Sequence, residues 1–381
     1  MNRKEFTKLL LIFLVWKLVV FSFANIGQVL FPLHTDFLGG GLFNYLKHPM
    51  FWGFINFDGE HYLSIARDGY LPLTYFYFPL YPILVKTVTL LLGGSFVVYA
   101  FSGLLLSNIF LFLAVLAIYL LGKHFFDPER AYLAILLFIF FPTSFFLGAF
   151  YNESLFIALV AWSFYLALKK RWTWSFALCG LATATRLVGL ALIPALLYEY
   201  WVSDKSKLLR LKTFAYLSLS GLGMFLYLIY LKVQTGDFMA FFHNVEIFGA
   251  QRSTKIILLP QVFYRYVFKV LPAVNYDYLP VVFTTLLEIT TATIFLVALY
   301  FVFKKLNKSL FIYAAFAYLI PTLSGSFSSF PRYALGLFPV FLVAGDWLAG
   351  KNKSLRYILL PILLLCGLIA TSLYIRGYFV S

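Results

Sequence analysis

The side chains with the most chemistry to offer fall in four short runs. The first is Asn56-Phe-Asp58-Gly-Glu60-His61-Tyr62-Leu-Ser-Ile-Ala-Arg67-Asp68-Gly-Tyr70 and the second Tyr151-Asn152-Glu153-Ser154. Arg186 forms the third, and Ser328-Ser-Phe-Pro-Arg332-Tyr333 the fourth. Only 12% of the chain is charged, so these groups stand out. A carboxylate-rich loop facing several arginines suits a phosphate-bearing substrate and a group that takes up a proton. Each run also has a plainer reading. Asp58 and Glu60 could be the acidic first turn of a helix, and Glu153 could simply start the helix after Asn152. Arg186 and Arg332 could snorkel to an interface or pair with carboxylates for stability. His61 has no partner at metal-ligand spacing, and Cys179 and Cys366 both lie in apolar runs. No metal site and no disulfide framework are expected.

The elements that must position these residues are membrane helices. Hydrophobic residues make up 62% of the 381, and the mean hydropathy is +0.88. Runs 97–121, 212–234, 279–303 and 355–375 are continuously apolar, each near the ~20 residues needed to cross a hydrocarbon core. They do not alternate with period two, which predicts helices rather than a barrel. The net charge of +15 could suggest nucleic acid, but its placement argues otherwise. Eighteen of the 30 Lys and Arg residues sit in six short segments: Arg3–Lys8, Lys123–Arg130, Lys169–Arg171, Lys205–Lys212, Lys304–Lys308 and Lys351–Arg356. Basic connections between apolar runs are the positive-inside signal. The apolar run from about residue 9 to Phe31 is long for a signal peptide and lacks a small-residue cleavage site, so it reads as an uncleaved first helix.

Placing all six basic segments on the cytoplasmic side requires an even number of crossings between neighbours. Between Lys8 and Lys123 lie three apolar stretches. The middle one, 78–92, carries Lys86 and begins Phe-Pro-Leu-Tyr-Pro, so it becomes a surface or re-entrant helix within one outer loop, 32–96. The run between Arg171 and Lys205 must cross twice, at about 172–185 and 187–202, which puts Arg186 at the outer face. The same parity places Asn152, Glu153, Arg332, Tyr333 and a second long loop, 235–278, outside. The expected architecture is an all-α polytopic membrane protein of about eleven crossings, with amphipathic helices in its large first outer loop. It forms one domain over 1–381. Lys17 and Glu288 fall near mid-span and could pair with each other.

The pattern Phe57-Asp58-x-x-His61-Tyr62-x-x-Ile65-Ala66-x-x-Gly69-Tyr70, followed by Phe78-Pro-Leu-Tyr-Pro82, resembles the PIG-V type of mannosyltransferase. So do Phe141-Pro-Thr-Ser-Phe-Phe through Tyr151-Asn-Glu-Ser-Leu-Phe156, then Thr185-Arg186 with Gly189-Leu190, then Ser329-Phe-Pro-Arg332-Tyr333 with Phe338-Pro339. The blocks run in order from about 57 to 340. The resemblance implies a GT-C bundle that uses a polyprenyl- or dolichyl-phosphate sugar, without a metal in many members. It also implies an essential Asp in the first outer loop, which maps onto Asp58.

Such a transfer needs one base and no general acid, because the leaving phosphate is already ionised; glycosidases use a carboxyl pair. Asp58 is the expected base in an inverting transfer. Arg186 and Arg332 are the expected donor-phosphate ligands, with Arg67 and His61 as weaker candidates. Glu60, Tyr62, Asn152, Glu153, Tyr333, Arg252 and Arg265 are expected to contact substrate, and the loop carrying Arg252, Lys255, Tyr264 and Arg265 to close over the donor. The partners implied are a lipid-phosphate-sugar donor, a glycolipid or glycan acceptor and membrane lipids, with no cofactor and no nucleic acid. The chain is shorter than eukaryotic members, pointing to a prokaryotic plasma membrane; a eukaryotic source would imply the endoplasmic reticulum. The rival class is a transporter or lipid flippase, which favours mid-membrane charges and repeated halves. No repeat is visible, and the ionisable clusters share one face.

Overall fold

In the computed structural model, residues 1–203, 211–243 and 255–380 are described. Among them the chain is built almost wholly of helices, with no β-strand. Among the described residues, five helices are long and apolar enough to cross a membrane: Arg3–Leu30, Phe96–Phe125, Leu211–Thr235, Leu279–Lys305 and Lys353–Ile375. A sixth span arises if Phe330–Gly336 and Phe338–Ala349, bent by 80° at their junction, count as one. The protein is an integral membrane protein. The other expected crossings fall on shorter apolar helices such as Glu153–Leu168 and Lys308–Thr322. A twelve-residue helix such as Trp172–Thr183 extends only about 18 Å, less than the ~30 Å hydrocarbon core.

The run 172–202 is divided as parity requires. Trp172–Thr183 stops before Arg186, and the chain resumes through a 3₁₀ turn, Leu187–Ala191, into Leu192–Ser203. Within the stretch 78–92, expected as a surface or re-entrant helix, the chain is helical over Leu80–Leu91. Close helix approach rests on small residues, as lipid-embedded packing favours. A Cβ on Gly180 would lie 2.3 Å from the carbonyl oxygen of Leu219, and one on Gly223 would lie 2.1 Å from that of Gly180. Trp172–Thr183 and Leu211–Thr235 therefore touch backbone to backbone.

Four of the basic segments gather at one end of the bundle. Lys123 binds Glu5, Arg130 and Lys305 both bind Asp346, and Arg356 binds Glu129. Lys8 lies over the ring of Tyr132. The charged clusters of the four runs meet elsewhere, in a separate group. Lys17 and Glu288 do not pair. The Lys17 ammonium sits among the rings of Trp16, Phe21 and Phe54, whereas Glu288 accepts a hydrogen bond from Tyr266 at 2.8 Å.

Candidate active site

The four runs are stitched together by bonds between side chains and backbone. Asn56 is fully buried. Its Oδ1 accepts from the Gly39 N–H at 3.0 Å, and its Nδ2 donates to the Tyr374 carbonyl at 3.0 Å. Its own carbonyl accepts from the hydroxyls of Tyr151 and Tyr374, at 2.9 and 3.0 Å. One residue thus ties the first run to the second and to the Lys353–Ile375 helix. Asn152 Nδ2 donates to the Thr185 carbonyl at 2.6 Å, fixing the second run to the third. Thr143 Oγ1 donates to the Pro331 carbonyl at 2.8 Å, fixing the fourth. Unmade bonds of this kind in a buried setting cost about 1–3 kcal/mol each, so the arrangement is strongly specified.

Asp58 opens the helix Asp58–Asp68, with Phe57 as the cap residue and no side-chain cap bond. Its carboxylate reaches across the fold instead. Oδ2 accepts from Arg332 Nη1 at 2.5 Å, and Oδ1 accepts from the Tyr77 hydroxyl at 3.1 Å. Asp58 and Glu60 do form the acidic first turn of this helix, and the Asp58 carboxylate makes these cross-fold bonds in addition. Beyond Arg332 the ion pairs continue: Glu153 Oε1 lies 3.4 Å from Arg332 Nε and 2.6 Å from Arg186 Nη1. Asn152 Oδ1 also accepts from Arg186, at 3.4 Å. The result is an alternating chain of charge: Asp58, Arg332, Glu153, Arg186. Both guanidiniums lie near the Tyr333 ring, at 4.9 and 5.3 Å, a favourable cation–π setting.

The Glu153 side chain is only 4% exposed and that of Arg332 8%, while Asp58 retains 26%. That residual exposure belongs to a cavity of about 340 Å³ that Asp58 lines together with Tyr62, Tyr77, Arg186, Arg332 and Tyr333. The remaining wall is largely apolar, including Phe76, Phe78, Leu187, Val188, Phe241 and Phe242. A few convergent polar groups in an apolar cleft are the usual makings of a small-molecule site. Burial works to raise the pKa of Asp58, but the charge of Arg332 and its hydrogen bond, with smaller help from His61 and Tyr77, bring it below the usual carboxylate range. Burial pushes the Tyr77 hydroxyl well up, so it stays a neutral donor. Burial also raises Glu60.

Of the expected site residues, Asp58, Tyr62, Asn152, Glu153, Arg186, Arg332 and Tyr333 converge on this cavity. His61 stacks on Tyr77, ring centroids 5.1 Å apart, one step behind the carboxylate. Glu60 is half-buried and does not line the cavity. Arg67 does not join the group: its guanidinium is held by Asp68 and lies over the Phe96 ring, away from Arg186 and Arg332. Glu153 serves chiefly as the shared counter-ion of the two arginines. Lys255 lines the cavity, whereas Arg265 lies at a second one and donates to the Gly325 carbonyl. Arg252 lies outside the described residues. Asn56, named in the first run without a role, and Tyr77, which sequence reasoning passed over, are positioning groups. Among the described residues no cluster of three or more His, Cys, Asp or Glu side chains could hold a metal ion.

Comparison with known proteins shows the family. Residues 6–267 match the family described as mannosyltransferase (PIG-V). GPI alpha-1,6-mannosyltransferase 2 from Homo sapiens is 31% identical over 168 residues, covering 42% of this chain and 34% of that protein. The Rattus norvegicus protein of the same description is 31% identical over 174 residues, with the same coverage. The match thus spans about a third of the length of these curated relatives. A crystal structure of ArnT from Cupriavidus metallidurans bound to undecaprenyl phosphate aligns over 96% of this chain and 65% of that one. Its TM-score is 0.49 and its identity 17%.

Proposed function

We propose that this chain, which belongs to the mannosyltransferase (PIG-V) family, is an inverting glycosyltransferase of the GT-C kind. It moves mannose from a polyprenyl- or dolichyl-phosphate donor to a lipid-linked acceptor on the extracytoplasmic side of the membrane. The observation that carries this reading is the Asp58 carboxylate opening on a largely apolar cavity whose polar end holds two buried guanidiniums.

The chemistry follows from those groups. An acceptor hydroxyl attacks the anomeric carbon as Asp58 takes its proton. The new carbon–oxygen bond forms while the bond from that carbon to the phosphate oxygen breaks, its electron pair leaving with the phosphate. Charge then grows on the phosphate, where planar guanidiniums with several donors stabilise it well. Arg332 has a double duty. At rest it holds Asp58 ionised but also occupied, and its buried Nε makes no hydrogen bond. A donor phosphate that engages Arg332 and Arg186 weakens the hold on Asp58. The carboxylate, still buried, then becomes a stronger base when the donor is in place. The apolar wall suits the first isoprene units of the carrier.

The test is transfer from labelled polyprenyl-phosphate mannose in proteoliposomes supplied with a membrane lipid extract, with products read by mass spectrometry. Wild-type protein should yield a mannosylated lipid. Asp58→Asn keeps the shape and loses the base, so transfer should fall about 10²–10⁴-fold while donor binding persists. Undiminished transfer by Asp58→Asn would remove the base assignment. Sidedness is checked on one helix, Leu279–Lys305, in a background lacking Cys179 and Cys366. Tyr276→Cys, before its start, should be labelled from outside intact cells, and Lys304→Cys, at its end, only after the membrane is opened.

A further inference from the structure

The membrane helix Leu211–Thr235 lends nothing directly to the cavity: none of its residues lines it. Its outward side is apolar, with Phe225, Leu226, Ile229 and Val233 exposed to lipid. Its inward side repeats at helical spacing, with Ser220, Met224, Tyr227 and Leu231 buried. The last three join Phe78, Ala240 and Phe241 in a small apolar cluster apart from the main core. Two members of that cluster, Phe78 and Phe241, do line the cavity. The helix therefore touches the site at one remove.

Among the buried members of this cluster only Tyr227 carries a hydroxyl. It is 2% exposed, and a buried hydroxyl needs an acceptor. It finds two in one short loop, donating to the Tyr75 carbonyl at 2.5 Å with the Tyr77 carbonyl at 3.4 Å. The Tyr70 hydroxyl donates to that same Tyr77 carbonyl at 2.6 Å. The loop depends on such outside support. Leu71, Pro72 and Leu73 are exposed at its tip, and Leu73 holds φ +76°, left-handed backbone that disfavours a residue with a Cβ. Beyond it, the Leu80 N–H donates to the Ala184 carbonyl at 3.0 Å.

What this loop carries is the Tyr77 side chain. Its ring stacks on His61 and meets Tyr62 edge-on, with centroids 5.1 and 5.0 Å apart. Its hydroxyl supplies one of two ties on Asp58, to Oδ1. The other tie, from Arg332 to Oδ2, is the one for which a donor phosphate competes. When Arg332 turns to the phosphate, Tyr77 remains to aim the carboxylate, and a base that swings loses rate. We infer that Tyr227 is a positioning residue for Asp58, acting from outside the cavity through the Tyr75–Tyr77 backbone and the Tyr77 hydroxyl. The inference rests on the reading of Asp58 as the base.

The test is steady-state transfer from labelled polyprenyl-phosphate mannose in the same proteoliposomes, comparing Tyr227→Phe, Tyr77→Phe and the double variant. Tyr227→Phe keeps the ring and its packing. It should lower kcat roughly 3–10-fold, the worth of one hydrogen bond, with donor KM unchanged. The Tyr77 bond favours the ionised carboxylate, so loosening it should move the acidic limb of kcat to higher pH. The other groups facing Asp58, namely Arg332, His61, Tyr62, Tyr151 and Tyr374, are untouched by the substitution. The double variant should be no slower than Tyr77→Phe, because both act through one bond. Tyr70→Phe, which removes the other donor to the Tyr77 carbonyl, should move the limb the same way. Tyr230 stacks on Tyr227 from the same helix without bonding the loop, so Tyr230→Phe should match wild type. An unmoved limb in Tyr227→Phe, a raised donor KM at unchanged kcat, or losses that add in the double variant overturns the inference. Infrared difference spectra against Asp58→Asn follow the Asp58 carboxyl without turnover and separate this inference from the transferase reading. A wild-type protein that transfers no mannose, while Tyr227→Phe still raises the Asp58 titration, sinks the transferase and leaves the positioning contact. Intact transfer with an unmoved Asp58 titration sinks the positioning and leaves the transferase.

Discussion

At the basic end of the bundle, Asp346 is shared by Arg130 at 2.9 Å and Lys305 at 2.5 Å, and those cations keep 43% and 40% of their side-chain surface exposed. At the other end, Glu153 is shared by Arg186 and Arg332 in the same one-acid, two-base pattern, but almost out of reach of water. Equal geometry carries unequal consequences. Asp346 is itself 9% exposed, but its two cations face water and salt, and either can be hydrated if its partner is lost. Around Glu153 there is no such alternative: the carboxylate is desolvated, and its second oxygen, Oε2, makes no hydrogen bond. Charges kept in so expensive a place are better explained by a ligand that completes them than by stability.

The largest expected difference between the two ends comes from removing the shared acid. Glu153→Gln leaves two buried guanidiniums with one carboxylate between them. Breaking a buried pair by deleting one partner costs about 3–5 kcal/mol. The thermal midpoint in detergent should fall by many degrees, whereas Asp346→Asn should lower it far less. Equal losses would mean that the two clusters do the same structural work.

A smaller effect distinguishes the arginines from each other. Arg186→Lys and Arg332→Lys keep the charge and lose the planar fork. Each should lower transfer by at least ~10-fold, about 1.4 kcal/mol, in a folded protein. Their pH profiles should then part. Asp58 is raised by burial but lowered further by Arg332, for a net depression. A depressed carboxylate contributes stability that is present above its unfolded pKa, about 3.9, and lost as the pH falls through the folded value. Arg332→Gln deletes the lowering cause and leaves the burial. The acidic limb of kcat/KM should therefore move to higher pH in Arg332→Gln and stay in place in Arg186→Lys. An unmoved limb in Arg332→Gln would show that Asp58 is not the group that titrates.

Much of this was legible in the sequence, and for identifiable reasons. Charge parity between basic segments, combined with the ordered motif blocks, brought Asp58, Glu153, Arg186 and Arg332 to one side, because few charges in a lipid-embedded chain leave few arrangements. The role of Asn56 was not legible: its worth lies in bonds to Gly39, 17 residues back, and Tyr374, 318 residues on, neither with a periodic signature. Arg67 misled because its neighbour Asp68 satisfies it locally, a pairing that residue type alone does not weigh against a distant phosphate. Lys255 and Arg265, ten residues apart in the expected 235–278 loop, line different cavities because Leu259–Arg265 is helical, which composition does not announce.

The smallest expected effect is the one that most sharpens the contrast. Lys305→Gln removes one of two cations from Asp346 and leaves Arg130 at 2.9 Å. Exposed ion pairs of this kind contribute about 0–1 kcal/mol, so the thermal midpoint should hardly move and transfer should match wild type. Positive-inside charge acts on insertion and not on the finished fold, so the variant should register in another measurement. The fraction of chains that place Tyr276→Cys outside should drop slightly when Lys305→Gln is combined with Lys304→Gln. If the double variant instead lost transfer with its topology intact, the basic end would be coupled to the cavity through the Leu279–Lys305 helix, whose residue Glu288 lines the second cavity. Charge at that end would then be part of the site and not only an address for the membrane.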